Sequence, residues 1–251
     1  FEVDERSALR IYPYLKPDYM LITNLSRDSI MRNAHPEYIR DILTKYIPKK
    51  TKLILNADDL ICCGIAPENP RVYFGIEKMD TDVTDCVNLI NDLQICPQCH
   101  RRLEYEYRRY NHIGKAYCPH CGFKAPAYDY AGCDVDLAGM KIDVKDATGV
   151  GHYRLLNESI FNIYNVVSAV AVLREIGYSH AQIEAFFAKL NIVGSRYDAE
   201  TIGSRTLYRL LAKEKNAFAT TRVFDYIGGL DGDKEIILMN SCQGDMKHWS
   251  E

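Results

Sequence analysis

The sequence predicts an α/β protein: a parallel sheet with flanking helices, a small four-cysteine ribbon inserted into it, and part of a further α/β domain behind it. Three observations carry that prediction. Short apolar runs of strand length alternate with segments of helical periodicity, as in βαβ units. The alternation breaks once, from about residue 94 to about residue 127, where cysteines, tyrosines and charges take over. Two Cys-x-x-Cys pairs stand inside that break.

The first strand is read over Tyr19–Leu25, a run dominated by apolar residues. A helix should start near Pro36, because Ile39, Ile42, Leu43, Tyr46 and Ile47 recur at helical spacing, and Pro48 should end it. Lys52–Asn56 is the next strand, stopping at Ala57-Asp58-Asp59, and Val72–Ile76 is the third. After the break a β-like stretch runs to about Arg154. A long helix spans about Asn157–Ile176, with Ile160, Ile163, Val167, Val170 and Leu173 on one face and Gly177 at its end. A second helix covers about Ser179–Leu190. Ser179 suits its N-cap, while Glu184 falls too late to close a capping box. Asn191–Asp198 reads as a linker, so the domains are drawn as residues 1–193 and 194–251. The second should hold a strand at Thr206–Leu211, a helical stretch at Thr220–Ile227 and a strand at Glu235–Asn240.

The 251 residues fit one large domain or two smaller ones. With 47% hydrophobic residues a proper core is available, and a net charge of -3 argues against a general nucleic-acid binder. No apolar run approaches the roughly 18 residues of a membrane span. Nine cysteines, an odd number with four of them in two pairs, fit a reduced cytosolic chain with a metal site rather than a disulfide scaffold. The chain opens on Phe1 and closes on His248-Trp249-Ser250-Glu251, so a fragment cut at both ends is expected.

Cys96, Cys99, Cys118 and Cys121 have the spacing of a zinc ribbon, with eighteen residues between the pairs. Zinc takes four thiolates in a tetrahedron at about 2.3 Å, and a shell so closed is structural rather than catalytic. Gly122 suits the left-handed backbone after a knuckle. The alternative is a pair of redox dithiols. His100, His112 and His120 are read as spares. Between the knuckles Tyr105, Tyr107, Tyr110 and Tyr117 mix with Arg101, Arg102, Arg108, Arg109 and Lys115. Aromatic and basic residues so interleaved can bind single-stranded nucleic acid. Glu104 and Glu106 dilute that charge, and the preferred reading packs the tyrosines inside the ribbon and leaves the arginines solvated.

Other polar clusters sit at strand ends or helix starts: Thr23-Asn24, Asn56-Ala57-Asp58-Asp59 and Asn162-Ile163-Tyr164-Asn165. In open α/β sheets ligands bind at the carboxyl ends of strands. Phe1-Glu2-Val3-Asp4-Glu5 adds closely spaced carboxylates, a pattern suited to Mg²⁺ held together with nucleotide phosphates. In this order the motifs resemble the Mur ligase superfamily and, within it, the MurT family of ligase-like subunits. Phe1–Glu5 resembles the acidic metal-binding strand, and Thr23-Asn24-Leu25-Ser26-Arg27-Asp28 the TN-x-x-x-D segment. Ser195-Arg196-Tyr197-Asp198 resembles the G-R-x-E junction, and Lys215-Asn216-Ala217 a K-N-P element whose proline is replaced. A four-cysteine ribbon in the central domain is what sets MurT apart from other Mur ligases.

The resemblance implies a Mur ligase central domain followed by part of a MurT C-terminal domain. It also implies ATP-dependent amidation of the D-glutamate α-carboxyl of lipid II through an acyl phosphate, with ammonia from a GatD-type glutaminase. The work would be done in the cytoplasm at the inner membrane face. Glu2 would help hold Mg²⁺, Asn162 and Asn165 would line the adenine site, and Arg196 would approach the nucleotide. The family's phosphate loop would lie upstream of Phe1 and its C-terminal Asp beyond Glu251. After Asp28 the chain reads Ser29-Ile30-Met31-Arg32-Asn33, a departure from the family's second metal contact. The competing readings are a zinc-ribbon nucleic-acid module and a Mur-type ligase acting on another carboxylate.

Overall fold

The computed structural model describes residues 1–27, 35–88, 90–157, 159–190, 197–210 and 217–239. Two compact units are present: among the described residues, one comprises 1–26 and 35–190, and the other Arg27 with 197–210 and 217–239. In the first, a 3-10 turn (Glu5–Ser7) and a one-turn helix α1 (Ala8–Ile11) precede β1 (Tyr19–Ile22). Helix α2 (Pro36–Tyr46) leads to β2 (Lys52–Asn56), and the short α3 (Leu60–Cys63) leads to β3 (Arg71–Ile76). The hairpin β4 (Glu104–Tyr110) and β5 (Ile113–Tyr117) comes next. Then follow β6 (Tyr130–Asp136), β7 (Lys141–Asp146), β8 (Gly149–Arg154), α4 (Ile160–Glu175) and α5 (His180–Lys189).

One sheet runs β1-β2-β3-β6-β7-β8. Its first four strands are parallel and its last two antiparallel. β2 lies in the parallel part, and Leu53, Ile54 and Leu55 are buried whichever way they point. A strand covered on both faces reads as an unbroken apolar run, which is why its predicted limits match. β1 is shorter than predicted. Beyond Ile22 the Thr23 carbonyl accepts from the Asn56 amide at 2.9 Å, and the Leu25 N–H donates to Asp59 at 2.7 Å. Side chains have replaced the ladder there.

The predicted face of α4 is broader than a single stripe. Ile163, Val167 and Val170 are buried, but so are Tyr164, Val166, Ser168 and Ala171. Gly177 adopts φ 103° as predicted, and Tyr178 N–H reaches Leu173 O at 3.0 Å, closing a Schellman motif. α5 does carry a capping box, contrary to expectation. Gln182, three residues after Ser179, supplies the return bond to the Ser179 N–H at 2.9 Å.

Two further strand expectations fail among the described residues. Phe1–Asp4 form no strand, and neither do Glu235–Met239. A strand exists only with a ladder partner; Ile237, Leu238 and Met239 stay exposed without one. The rest of the second unit is the hairpin β9 (Tyr197–Ile202) and β10 (Arg205–Leu210), with helix α6 (Ala217–Gly229). Leu211 and Asn240 lie outside the described residues.

Gly75 in β3 permits a close approach. A Cβ there would overlap the Tyr128 ring, with Cδ1 only 2.7 Å away. The Tyr128 hydroxyl is bonded to Asp58 at 2.5 Å, so the ring has little freedom to withdraw. Gly75→Ala should therefore destabilise the first unit by about 1–3 kcal/mol, the cost of overpacking. Thermal denaturation of the variant against the parent measures it; an unchanged midpoint would mean that the ring moves freely.

Candidate functional site

The two cysteine knuckles are built alike. In the first, Cys96 N–H bonds Arg101 O at 2.8 Å and His100 N–H bonds Cys96 O at 3.0 Å; in the second, Cys118 N–H bonds Phe123 O at 2.8 Å and Gly122 N–H bonds Cys118 O at 3.0 Å. Each needs a left-handed residue just after its second cysteine. Gly122 takes φ 76°, and His100 fills the same role at φ 58°. The four sulfurs all lie within 4.8 Å of one another. Cys96 and Cys121 are 3.6 Å apart, and Cys99 and Cys118 3.5 Å. A tetrahedron with metal–sulfur bonds of about 2.3 Å has edges of about 3.8 Å, so the cluster fits a zinc ion. Backbone N–H groups of Cys121 and His120 favour the Cys118 thiolate and bring that thiol down to about 6. At Cys121 the Phe123 N–H acts the same way, but burial and the neighbouring sulfurs outweigh it and push the thiol up to about 12. Four sulfurs sharing one small volume without a cation cannot all ionise.

Under the cluster lies a small core of Leu103, Tyr105, Ala116 and Ala125 with Cys96 and Cys118, and Leu60 of α3 belongs to it. The tyrosines do pack the ribbon: Tyr105, Tyr107 and Tyr110 are buried. The arginines correct the sequence reading. Arg101 and Arg102 are exposed, but Arg108 is buried and the Arg109 side chain is 3% exposed. Arg108 reaches Asn91 Oδ1 and Asn111 O, both at 2.9 Å. Arg109 grips Asp82 with two bonds of 3.0 Å, donates to Ile76 O and Glu77 O, and lies 3.4 Å from Asp58. Burial on this scale removes both arginines from any phosphate-tracking stripe.

Asp58 and Asp59 follow the end of β2, and both are fully buried. Asp58 accepts from Tyr164 OH at 2.7 Å, Tyr128 OH at 2.5 Å and the Ile76 N–H at 3.1 Å. Burial, with the Asp58 charge adding to it, pushes the Tyr128 and Tyr164 phenols well up, so both remain donors. Asp59 caps α3 through the Ile61 and Cys62 N–H groups and faces His112 Nε2 at 3.4 Å. Burial opposes its ionisation, but His112 and the backbone donors prevail and hold its carboxyl below the usual range. Asn56, Asp58 and Asp59 thus serve protein partners.

Of the other polar residues predicted at this end, Thr23 and Asn24 are half-buried after β1, and two more stand on α4. Asn162 is half-buried, and its amide donates to Asn157 O at 3.1 Å; Asn165 is exposed. Tyr164 between them is buried, and Arg109 donates to its hydroxyl at 2.9 Å. The Tyr110 ring lies 5.0 Å from the Phe161 ring and 6.4 Å from that of Tyr164. Glu2 is exposed in the irregular segment before Glu5. Arg196 and the Ser29 segment lie outside the described residues.

No family model matches the chain. It is 31% identical over 189 residues to the MurT subunit of lipid II isoglutaminyl synthase (glutamine-hydrolysing) of Staphylococcus aureus, covering 74% of this chain and 42% of that protein. With the MurT subunit of Streptococcus pneumoniae it shares 29% identity over 235 residues, 90% of this chain and 50% of the relative. The chain therefore spans about half the length of the curated relatives it matches. The structure of a pseudomurein peptide ligase type C from Methanothermus fervidus superposes with a TM-score of 0.61 at 28% identity, covering 78% of this chain and 38% of that one.

Removing Arg109 would strand two buried carboxylates. Arg109→Met should cost about 3–5 kcal/mol, the usual effect of breaking a buried ion pair from one side. Urea unfolding gives the number, and a loss below about 1 kcal/mol would reduce the pair to the standing of a surface bridge.

Proposed function

We propose that the chain is a MurT-type, Mur ligase-like protein and that it takes part in ATP-dependent amidation of the D-glutamate α-carboxyl of lipid II. The reading is carried by one observation. A four-cysteine ribbon interrupts a Mur ligase-type sheet between β3 and β6, in a chain similar to a curated MurT subunit over 90% of its length. The glutamate carboxylate attacks the γ-phosphorus of ATP, and ADP departs. Ammonia, released from glutamine by a GatD-type partner, then attacks the acyl carbon. Phosphate leaves, a proton is lost, and D-isoglutamine remains in the peptidoglycan precursor.

In this reading Asn162 and Asn165 line the adenine site and Arg196 approaches the nucleotide. Asn162 uses an amide hydrogen on Asn157 O, which leaves its own carbonyl for the exocyclic amine of adenine. Mg²⁺ offsets phosphate charge when bound with ATP, and Glu2 offers it one carboxylate. Zinc on Cys96, Cys99, Cys118 and Cys121 has no open position and serves as scaffold. Residues 1–193 form the ligase central domain and 194–251 the start of the C-terminal domain. Among the described residues no helix is long and apolar enough to cross a membrane. The proposed workplace is the cytoplasm, at the membrane face that presents lipid II.

The full-length protein with its glutaminase partner, ATP, glutamine and lipid II should yield a product in which one carboxyl hydroxyl is exchanged for an amine. Mass spectrometry of the product checks this, and an unchanged lipid II sinks the reading. Elemental analysis should find a single zinc ion per chain. Cys96→Ser should lose the metal and unfold the ribbon; lost activity with zinc and fold intact would contradict the scaffold assignment.

A further inference from the structure

We propose that the ribbon hairpin positions the nucleotide-contacting first turn of α4, with Tyr110 and Arg109 as positioning residues. This rests on the nucleotide reading of Asn162 and Asn165.

α4 has weak means of its own to fix its start. Its N-cap, Ser159, makes no side-chain cap bond, and its first turn holds no acidic residue to meet the helix dipole. The anchoring comes from the insertion. Tyr110 sets its ring on Phe161, tilted by 54°, and meets the Tyr164 ring edge-on at 86°. Arg109 donates to the Tyr164 hydroxyl at 2.9 Å, and that hydroxyl donates to Asp58 at 2.7 Å. Phe161 and Tyr164 are an i, i+3 pair and lie on one face. Asn162 and Asn165 are the next i, i+3 pair round the same turn. Gripping the first pair therefore sets the rotation at which the second is presented.

Arg109 is the firmer half of this grip, since Asp82, Ile76 O and Glu77 O hold its guanidinium from the other side. Tyr110 is the better half to test, because its removal leaves no buried charge behind. Neither residue meets the reacting atoms. Their effect should appear in ATP affinity and leave turnover at saturating ATP alone.

The test uses the full-length protein with its glutaminase partner and reads ATP dissociation constants, KM and kcat. Tyr110→Leu should weaken ATP binding and raise the KM for ATP by about threefold to tenfold, the worth of one aromatic pair. Zinc content and kcat should stay at parent values. Tyr110→Phe, which keeps the ring, should restore ATP affinity. Phe187→Leu is the control: its ring packs on Tyr153 at 5.5 Å, away from the first turn of α4, so it should lower stability without moving ATP affinity. If Tyr110→Leu folds poorly, Phe161→Leu removes the same contact from the helix side. Equal effects of Tyr110→Leu and Phe187→Leu, or unchanged ATP affinity in Tyr110→Leu, would overturn the proposal. Asn162→Ala separates the two levels of inference. If it weakens ATP binding while Tyr110→Leu does not, only the positioning role falls. If Asn162→Ala has no effect, the nucleotide reading of α4 falls and takes the positioning role with it.

Discussion

A carboxylate buried at the end of a strand must meet a cation or many donors, and Asp58 meets both. Its guanidinium partner, Arg109, comes from a segment 51 residues away in the chain, on the ribbon hairpin. Around this pair gather Tyr107, Tyr128, Tyr164 and Asp82, so that β2, β3, the hairpin and α4 share one hydrogen-bonded junction. Such an ion pair is weak evidence for net stability, because desolvation offsets much of the attraction. Its stronger consequence is geometric. A planar fork with five donors, engaged by Asp82, Tyr164 and two backbone carbonyls at once, accepts one docking arrangement of the hairpin.

That junction explains what was legible in the sequence. The limits of β2 were legible because burial on both faces makes composition alone sufficient. The four cysteines were legible because a knuckle is a local structure, and spacing within each pair determines it. Arg109 was misread as solvated because its acidic partners are remote. Nothing near Arg109 in the chain announces Asp58 or Asp82. Register shifts in β4–β5, between Tyr105 and Tyr107 and between Arg108 and Tyr110, further defeat simple alternation, so that neighbouring Arg108, Arg109 and Tyr110 are all enclosed. The capping box of α5 was missed for a smaller reason: glutamine closes it as glutamate would, and Gln182 stands at the required third position.

Polar residues at strand ends were read as ligand-facing, and here the fold separates two cases that a sequence cannot. Asn56, Asp58 and Asp59 stand where an open α/β sheet would present a ligand site. These residues turn inward instead, to Thr23, Leu25, Tyr128, Tyr164 and, from the insertion, His112. Asn162 and Asn165 have the same chemistry but stand on a helix start beside the junction, with Asn165 exposed. Burial, which depends on the hairpin's placement, distinguishes structural polar groups from available ones.

The same geometry gives the cysteine cluster a longer reach than a closed metal shell suggests. Cys96 and Cys118 share a core with Tyr105 of β4 and Leu60 of α3. Tyr105 and Tyr107 begin the strand that ends in Arg109 and Tyr110, and α3 is capped by Asp59, next to Asp58. A disturbance at the sulfurs therefore has two routes to the junction, each starting at a packing contact, one continuing along β4 and one through α3. Each passes through buried side chains, where a displacement is transmitted rather than absorbed by solvent. By these routes the cysteine cluster bears on where the groups around Asp58 stand.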